Sequence, residues 1–174
     1  MSSKGHLWQS AASLAARAHE HQYRKDCVTP YAAHTTRVAL TCAAVFGVTD
    51  EVILPTALLH DVIEDAPFDY DDIHTLCGKH VADIVACLTK DMRMIEPRRE
   101  KAYDEQIGRG PWQARLIKLA DVYDNLTEAH DAASRRKHME RARRALALSK
   151  NDKQLADARR KVERLVASLR SGRV

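Results

Sequence analysis

One stretch constrains this chain more than any other: Ala57-Leu58-Leu59-His60-Asp61-Val62-Ile63-Glu64-Asp65. Within six residues it places an imidazole and three carboxylates, four groups able to hold a metal or move a proton. Leu58, Leu59, Val62 and Ile63 frame them with apolar surface, which predicts a packed helix end, because a solvated acidic face has no use for such neighbours. The chain must therefore bring other polar groups or an ion to this point.

The punctuation elsewhere reads as helices throughout. A first helix is predicted over 6–22, followed by the polar connection Tyr23-Arg24-Lys25-Asp26. Thr29-Pro30 has the form of a cap followed by a first-position proline, and predicts a second helix closed by Gly47. Thr49 or Asp50 can cap a third helix reaching about Asp61. After the break at Pro67, Phe68-Asp69 restarts a short helix ending near Gly78, and another runs to about Thr89. Residues 90–96 read as a loop and Pro97 opens the next helix, which stops at Gly108-Arg109-Gly110-Pro111. A long helix follows over 112–130, then two more, the first capped by Ser134. With no repeat, low-complexity segment or convincing strand, the expected architecture is an all-α bundle formed as a single domain over 1–174.

Composition supports a globular chain: 45% of residues are apolar and 30% charged. The longest uncharged apolar stretch, 38–48, is too short to span a bilayer, and the N-terminus lacks a basic-then-apolar signal pattern. The expectation is a cytoplasmic protein with no membrane partner. Cys27, Cys42, Cys77 and Cys87 lie far apart without a CxxC pair, so reduced, partly buried thiols are expected. Net charge is +4, but residues 132–174 carry 14 Lys and Arg against 4 Asp and Glu. The preferred reading of this basic tail is a solvated face on amphipathic helices; the sharper one is attraction of a polyanion, either a phosphate-rich substrate or nucleic acid.

Two distant positions join the opening motif. His34, beside Ala32, Ala33, Val38 and Ala39, and Asp121, beside Leu119, Ala120 and Val122, are polar groups in apolar surroundings, and both are expected to face inward. A buried carboxylate requires a cation or several donors. Two imidazoles and two aspartates together supply mixed nitrogen and oxygen ligands, cancel a dication's charge and leave coordination positions open.

The order His34, His60-Asp61, Asp121 resembles the ligand set of the HD-domain metal-dependent phosphohydrolases, an all-helical superfamily acting on phosphate esters and nucleotides. Arg24-Lys25-Asp26 before Thr29-Pro30-Tyr31 and His34, the Glu64-Asp65 pair after His60-Asp61, and Lys118-Leu119-Ala120-Asp121 with Asn125 narrow the resemblance. These resemble the hydrolase domain of the RelA/SpoT enzymes and the small alarmone hydrolases. What this resemblance implies is an HD-domain helical bundle holding one divalent metal, of the Mn²⁺ type, through His34, His60, Asp61 and Asp121. It implies Glu64 and Asp65 as the proton-handling pair, and Arg24, Lys25 and Asn125 as substrate contacts. The implied reaction is release of pyrophosphate from the 3′ position of guanosine 3′,5′-bis(diphosphate)-type alarmones. Animal relatives of this type are described as acting also on NADPH.

The chain departs from the pattern in having Thr35 after His34 and no late aromatic residue at the nucleotide pocket, so any base-stacking wall is expected from Arg24, Tyr31, Tyr103 or Tyr123. His74 and His80 read as surface residues, and one metal is expected in place of two. Two alternatives stand beside the leading one: an HD phosphohydrolase acting on another nucleotide, such as a nucleoside phosphate or NADPH, and a non-catalytic regulatory protein engaging nucleic acid through residues 132–174. Intact ligands and the Glu64-Asp65 pair speak for catalysis, so a phosphorylated nucleotide is the expected partner and nucleic acid is not.

Overall fold

Helix α1 (Leu7–Ala18) buries Ala11, Leu14, Ala15 and Ala18, the i, i+3, i+4, i+7 stripe of an amphipathic helix, against α3 and α5. The structure, a computed structural model, describes residues 6–171. Along them follow α2 (Ala32–Leu40), α3 (Ile53–Leu59), α4 (Val62–Asp65), α5 (Tyr70–Cys77), α6 (Lys79–Leu88), α7 (Glu96–Arg109), α8 (Trp112–Thr127), α9 (Ala132–Leu148) and α10 (Ala156–Arg170). No strand occurs among the described residues; Tyr23 and Pro30 form an isolated antiparallel bridge. The fold is all-α, as expected.

Helix α8 is the axis of the bundle. It buries Ala114, Leu116, Ile117, Leu119, Ala120, Val122 and Leu126, and packs against α2, α3, α6, α7, α9 and α10. A helix apolar on most of its circumference is held in place by neighbours on most sides. Asp121 and Asn125, which share one edge of it, are thereby fixed to within a side-chain rotamer.

Four local expectations change. Helix α1 ends at Ala18, well before Gln22: His21 takes a φ of 62°, and the Gln22 side-chain amide donates to the Asp65 carbonyl at 2.7 Å while its oxygen meets His19 Nδ1 at 2.8 Å. Thr29-Pro30 does not open α2. The Thr29 hydroxyl donates to Asp26, whose other carboxylate oxygen receives the Val28 and Thr29 amides, and the chain closes a small loop before α2 begins at Ala32. The third helix breaks at His60-Asp61, so Glu64 and Asp65 belong to the separate turn α4. Finally, α9 is capped by Asp131, which accepts from the Ser134 amide at 2.7 Å; Ser134 is inside the helix.

Other signals are realised as read. Asp50 accepts the Val52 and Ile53 amides at the entry to α3, and Asp69 and Asp72 form a reciprocal capping box at α5. Gly47 takes a φ of 75° after a π-helical turn over Thr41–Val45. At the α7–α8 break a side chain on Gly110 would meet Cys87 Sγ, so the close approach there requires glycine. All four thiols are free, with Cys42 and Cys77 buried and Cys27 exposed.

Candidate metal centre and cavity

Helices α2, α3 and α8 converge so that His34, His60 and Asp121 each offer a ligand atom, all within 4.8 Å of one another. Asp61, at the break between α3 and α4, brings Oδ2 to 3.1 Å from His60 Nε2 and 3.6 Å from His34 Nε2. His34 Nε2 is also 3.4 Å from Asp121 Oδ1. Three of the four residues singled out in the sequence thus share one point, and Asp61 flanks it against both imidazoles.

Each imidazole is turned by its other nitrogen. His34 Nδ1 meets Asp124 Oδ2 at 2.7 Å, and His60 Nδ1 meets the Ala57 carbonyl at 2.8 Å. Both Nε2 atoms are left facing the centre, and that of His60 is buried without a hydrogen-bond partner. Outer hydrogen bonds that fix the ring are what imidazole ligands need. Asp124 is in turn gripped by Arg37, whose Nη2 also donates to Glu128 Oε1 at 2.9 Å. An orphaned buried nitrogen beside an imidazole and two aspartates fits a divalent cation.

The charges respond accordingly. Burial works against a charged His34, but Asp121 and Asp124 overcome it and lift its pKa to about 9. Burial likewise opposes ionisation of Asp61 and Asp121, yet His60 and His34 hold the first, and Lys118 and His34 the second, well below the usual carboxylate range. Glu64 and Asp65 shift the opposite way: burial raises both, helped by the negative charge of Asp61, against the Lys90 amide for Glu64 and His19 for Asp65. Carboxyls pushed upward beside carboxylates held down form the pattern that acid–base chemistry uses.

A cavity of about 510 Å³ opens over this centre, lined by His34, Asp61, Glu64, Asp65, Asp121 and Asn125, with Arg24 and Lys25 also on its wall. Glu64 Oε2 accepts the Lys90 amide at 3.0 Å, and the Tyr31 hydroxyl donates to Asp61 at 2.7 Å and lies 3.4 Å from Asp65. Arg24 donates to Glu128 and to Asn125 Oδ1 at 2.8 Å, with its guanidinium 5.3 Å from the Tyr31 ring centre. Asn125 Nδ2 donates back to the Asp121 carbonyl at 3.0 Å. Lys25 is exposed at the rim.

Of the aromatic residues expected to build a wall, Tyr31 and Tyr103 line the cavity, whereas Tyr123 packs edge-on against Phe46. Tyr23, not anticipated, joins them at the rim with 56% exposure. His74 and His80 are exposed and do not line the cavity. The purely solvated reading of the basic tail is overturned in part, because Ser134, Lys137, His138 and Arg141 of α9 form one side of the cavity.

The HD domain family matches residues 11–149, most of the chain. The chain belongs to the HD-domain family. Among curated relatives, the guanosine-3′,5′-bis(diphosphate) 3′-pyrophosphohydrolase MESH1 of Drosophila melanogaster is 37% identical over 66% of this HD-domain chain. That match spans 64% of the fly protein, just under two thirds of its length. The MESH1 protein of Xenopus tropicalis is 36% identical over 74% of this chain and 72% of its own. A solved structure of a metazoan ortholog of SpoT, described as hydrolysing ppGpp, covers all of both chains with a TM-score of 0.84 and 26% identity.

Several residues of this HD-domain site escaped the sequence reading. Asp124 and Glu128 follow Asp121 at i+3 and i+7, with Asn125 at i+4, so one acidic edge of α8 was available as a signal. Arg37 stands three residues after His34 on the same principle. Lys118, whose ammonium donates to Asp121 Oδ2 at 2.8 Å, stood in the Lys118-Leu119-Ala120-Asp121 motif without a role.

Proposed function

We propose that this protein is a metal-dependent phosphohydrolase that removes pyrophosphate from the ribose 3′ position of guanosine 3′,5′-bis(diphosphate)-type nucleotides. The observation that carries the reading is the cluster of His34, His60 and Asp121, flanked by Asp61, at a cavity that Glu64 and Asp65 line. The activity for which the MESH1 relatives are named supports the choice of substrate.

His34, His60, Asp61 and Asp121 would hold one divalent cation, with Mn²⁺ the ion proposed. When bound, such a cation supplies Lewis acidity to a phosphoryl oxygen and makes water more acidic. Glu64 and Asp65, with raised pKa values, take a proton from the attacking water and return one to the departing ribose oxygen. The new bond is from water oxygen to phosphorus, the broken bond is from phosphorus to the 3′ oxygen, and pyrophosphate leaves. Tyr31 keeps Asp61 and Asp65 in register through one hydroxyl. Arg24 and Asn125, bonded to each other, contact the nucleotide as a unit, and Lys25 adds charge at the rim.

The test is pyrophosphate release from guanosine 3′,5′-bis(diphosphate) by the purified protein with Mn²⁺, alongside metal analysis and a chelated control. Turnover that chelation removes is the expected result. No pyrophosphate from this substrate, while a nucleoside phosphate or NADPH is cleaved, would replace the substrate and keep the chemistry.

A further inference from the structure

Glu128 is out of place on two counts. It is the C-cap residue of α8, where a carboxylate meets the negative end of the helix dipole, and it lines a cavity that a polyanionic nucleotide is proposed to fill. Two arginines offset both costs. Arg24 of the loop after α1 donates through Nε to Glu128 Oε2 at 2.7 Å, and Arg37 of α2 donates through Nη2 to Oε1 at 2.9 Å, so each carboxylate oxygen holds a different arginine. The side chains of Arg24 and Glu128 are only 14% and 20% exposed, which leaves little water and salt to screen the pair.

The bonds continue inward from both arginines. Arg37 also grips Asp124, donating through Nη2 to Oδ2 at 3.0 Å, and that same oxygen meets His34 Nδ1 at 2.7 Å. Arg24 donates through Nη2 to Asn125 Oδ1 at 2.8 Å, and Asn125 Nδ2 donates to the Asp121 carbonyl at 3.0 Å. Arg24 is thus tied to two expected metal ligands by separate routes, one through Asn125 and one through Glu128, Arg37 and Asp124. Arg24, Arg37, Asp124 and Glu128 carry two positive and two negative charges, so together they add no net attraction for phosphate. What they supply is geometry, because charge-assisted bonds to a guanidinium fix its plane as well as its place.

We propose that Glu128 and Arg37 are positioning residues for the hydrolysis: they hold Arg24 for the nucleotide and His34 for the metal in one fixed arrangement. This rests on the function proposed above, in which Arg24 contacts the nucleotide and His34 the cation. It makes the Glu128 carboxylate favourable to nucleotide binding, where charge alone would make it a hindrance.

The experiment measures kcat and KM for guanosine 3′,5′-bis(diphosphate) in the Mn²⁺-loaded protein and in Glu128→Gln, Glu128→Ala, Arg24→Ala and the double variant Arg24→Ala/Glu128→Ala. Glu128→Ala raises KM roughly tenfold or more, the size of a lost charge-assisted contact, and Glu128→Gln, which keeps an acceptor oxygen, raises it less. Once Arg24 is gone, removing Glu128 changes KM little, because it acts through Arg24. An unchanged or lower KM in Glu128→Ala, the latter being the result for a merely repelling charge, overturns the proposal, as do losses that simply add in the double variant. Chelator competition reads the other end without turnover: Arg37→Gln weakens Mn²⁺ binding by roughly two- to tenfold, below the loss caused by removing a direct partner of a ligand. Unchanged Mn²⁺ affinity overturns the role of Arg37. Should the unmutated protein leave this nucleotide intact, the substrate reading fails by itself, and NMR reads the hold on Arg24 alone. Exchange of the Arg24 Nε–H with solvent then speeds up roughly tenfold or more in Glu128→Ala; equal rates in the two proteins remove the hold.

Discussion

The floor of the cavity and its α9 wall handle charge in opposite ways. On the floor, Lys118 lies against Asp121, Arg37 against Asp124 and Glu128, and Lys90 against Glu100, so each charge is held by another. On the wall, Lys137 and Arg141 stand unpaired among the described residues, beside a neutral His138. Paired charges position groups and resist movement, at a desolvation cost that makes them vulnerable to loss of one partner. Unpaired charges position little, but they remain available to whatever enters. The contrast separates the part of the site that must be rigid from the part that recognises.

The comparison can be broken first at the floor. Asp121→Ala removes a proposed ligand and leaves Lys118 unpaired, and kcat for nucleotide hydrolysis should fall by about a thousandfold or more; a variant retaining a tenth of its rate would mean that Asp121 does not serve the metal. Glu64→Gln keeps shape but loses the titrating group, and a hundredfold or greater drop in kcat is expected, on the order usual for acid–base groups, with metal content unchanged by elemental analysis.

Asp124→Asn tests the outer layer. It weakens the hold on His34 Nδ1, and chelator competition should show a metal affinity about 10 to 100 times lower. Glu100→Gln tests the floor's buttress. Burial opposes ionisation of Glu100, but Arg144 and Lys90 prevail and depress its pKa from 4.5 to about 2. Its contribution is therefore full above pH 4.5 and fades as the pH falls toward 2. Denaturant unfolding near pH 7 should show a loss on the order of 1–3 kcal/mol that shrinks in acid. Lys137→Ala has the smallest expected effect on stability, within about 0.5 kcal/mol, because no partner is lost; a larger destabilisation would show that the wall is structural after all.

The same contrast governs what could be read from sequence. His34, His60, Asp61 and Asp121 were legible because polar residues set in apolar runs demand partners, and four such demands in this order form a recognisable pattern. Helix limits were legible where local chemistry decides them, as at Asp50, Asp69 and the glycines around Arg109. They were not legible where a tertiary bond or a competing local one decides: the Gln22 side chain reaches the Asp65 carbonyl 43 residues away, and Thr29 gives its hydroxyl back to Asp26 instead of capping a helix. The α9 wall stayed hidden because cations on an amphipathic helix have the same spacing whether they face water or a cavity. Only the packing of Met139 and Ala142 decides between them.

The two imidazoles at the centre are oriented over very different chain distances. His60 is turned by the Ala57 carbonyl three residues away, whereas His34 is turned by Asp124, 90 residues away. A nascent α3 turn already aims one ring, but the other is aimed only once α2 and α8 have docked. Cation capture is therefore a reporter of completed assembly: a chain still missing its second half offers an ion half a grip, and tight retention marks the moment the bundle closes.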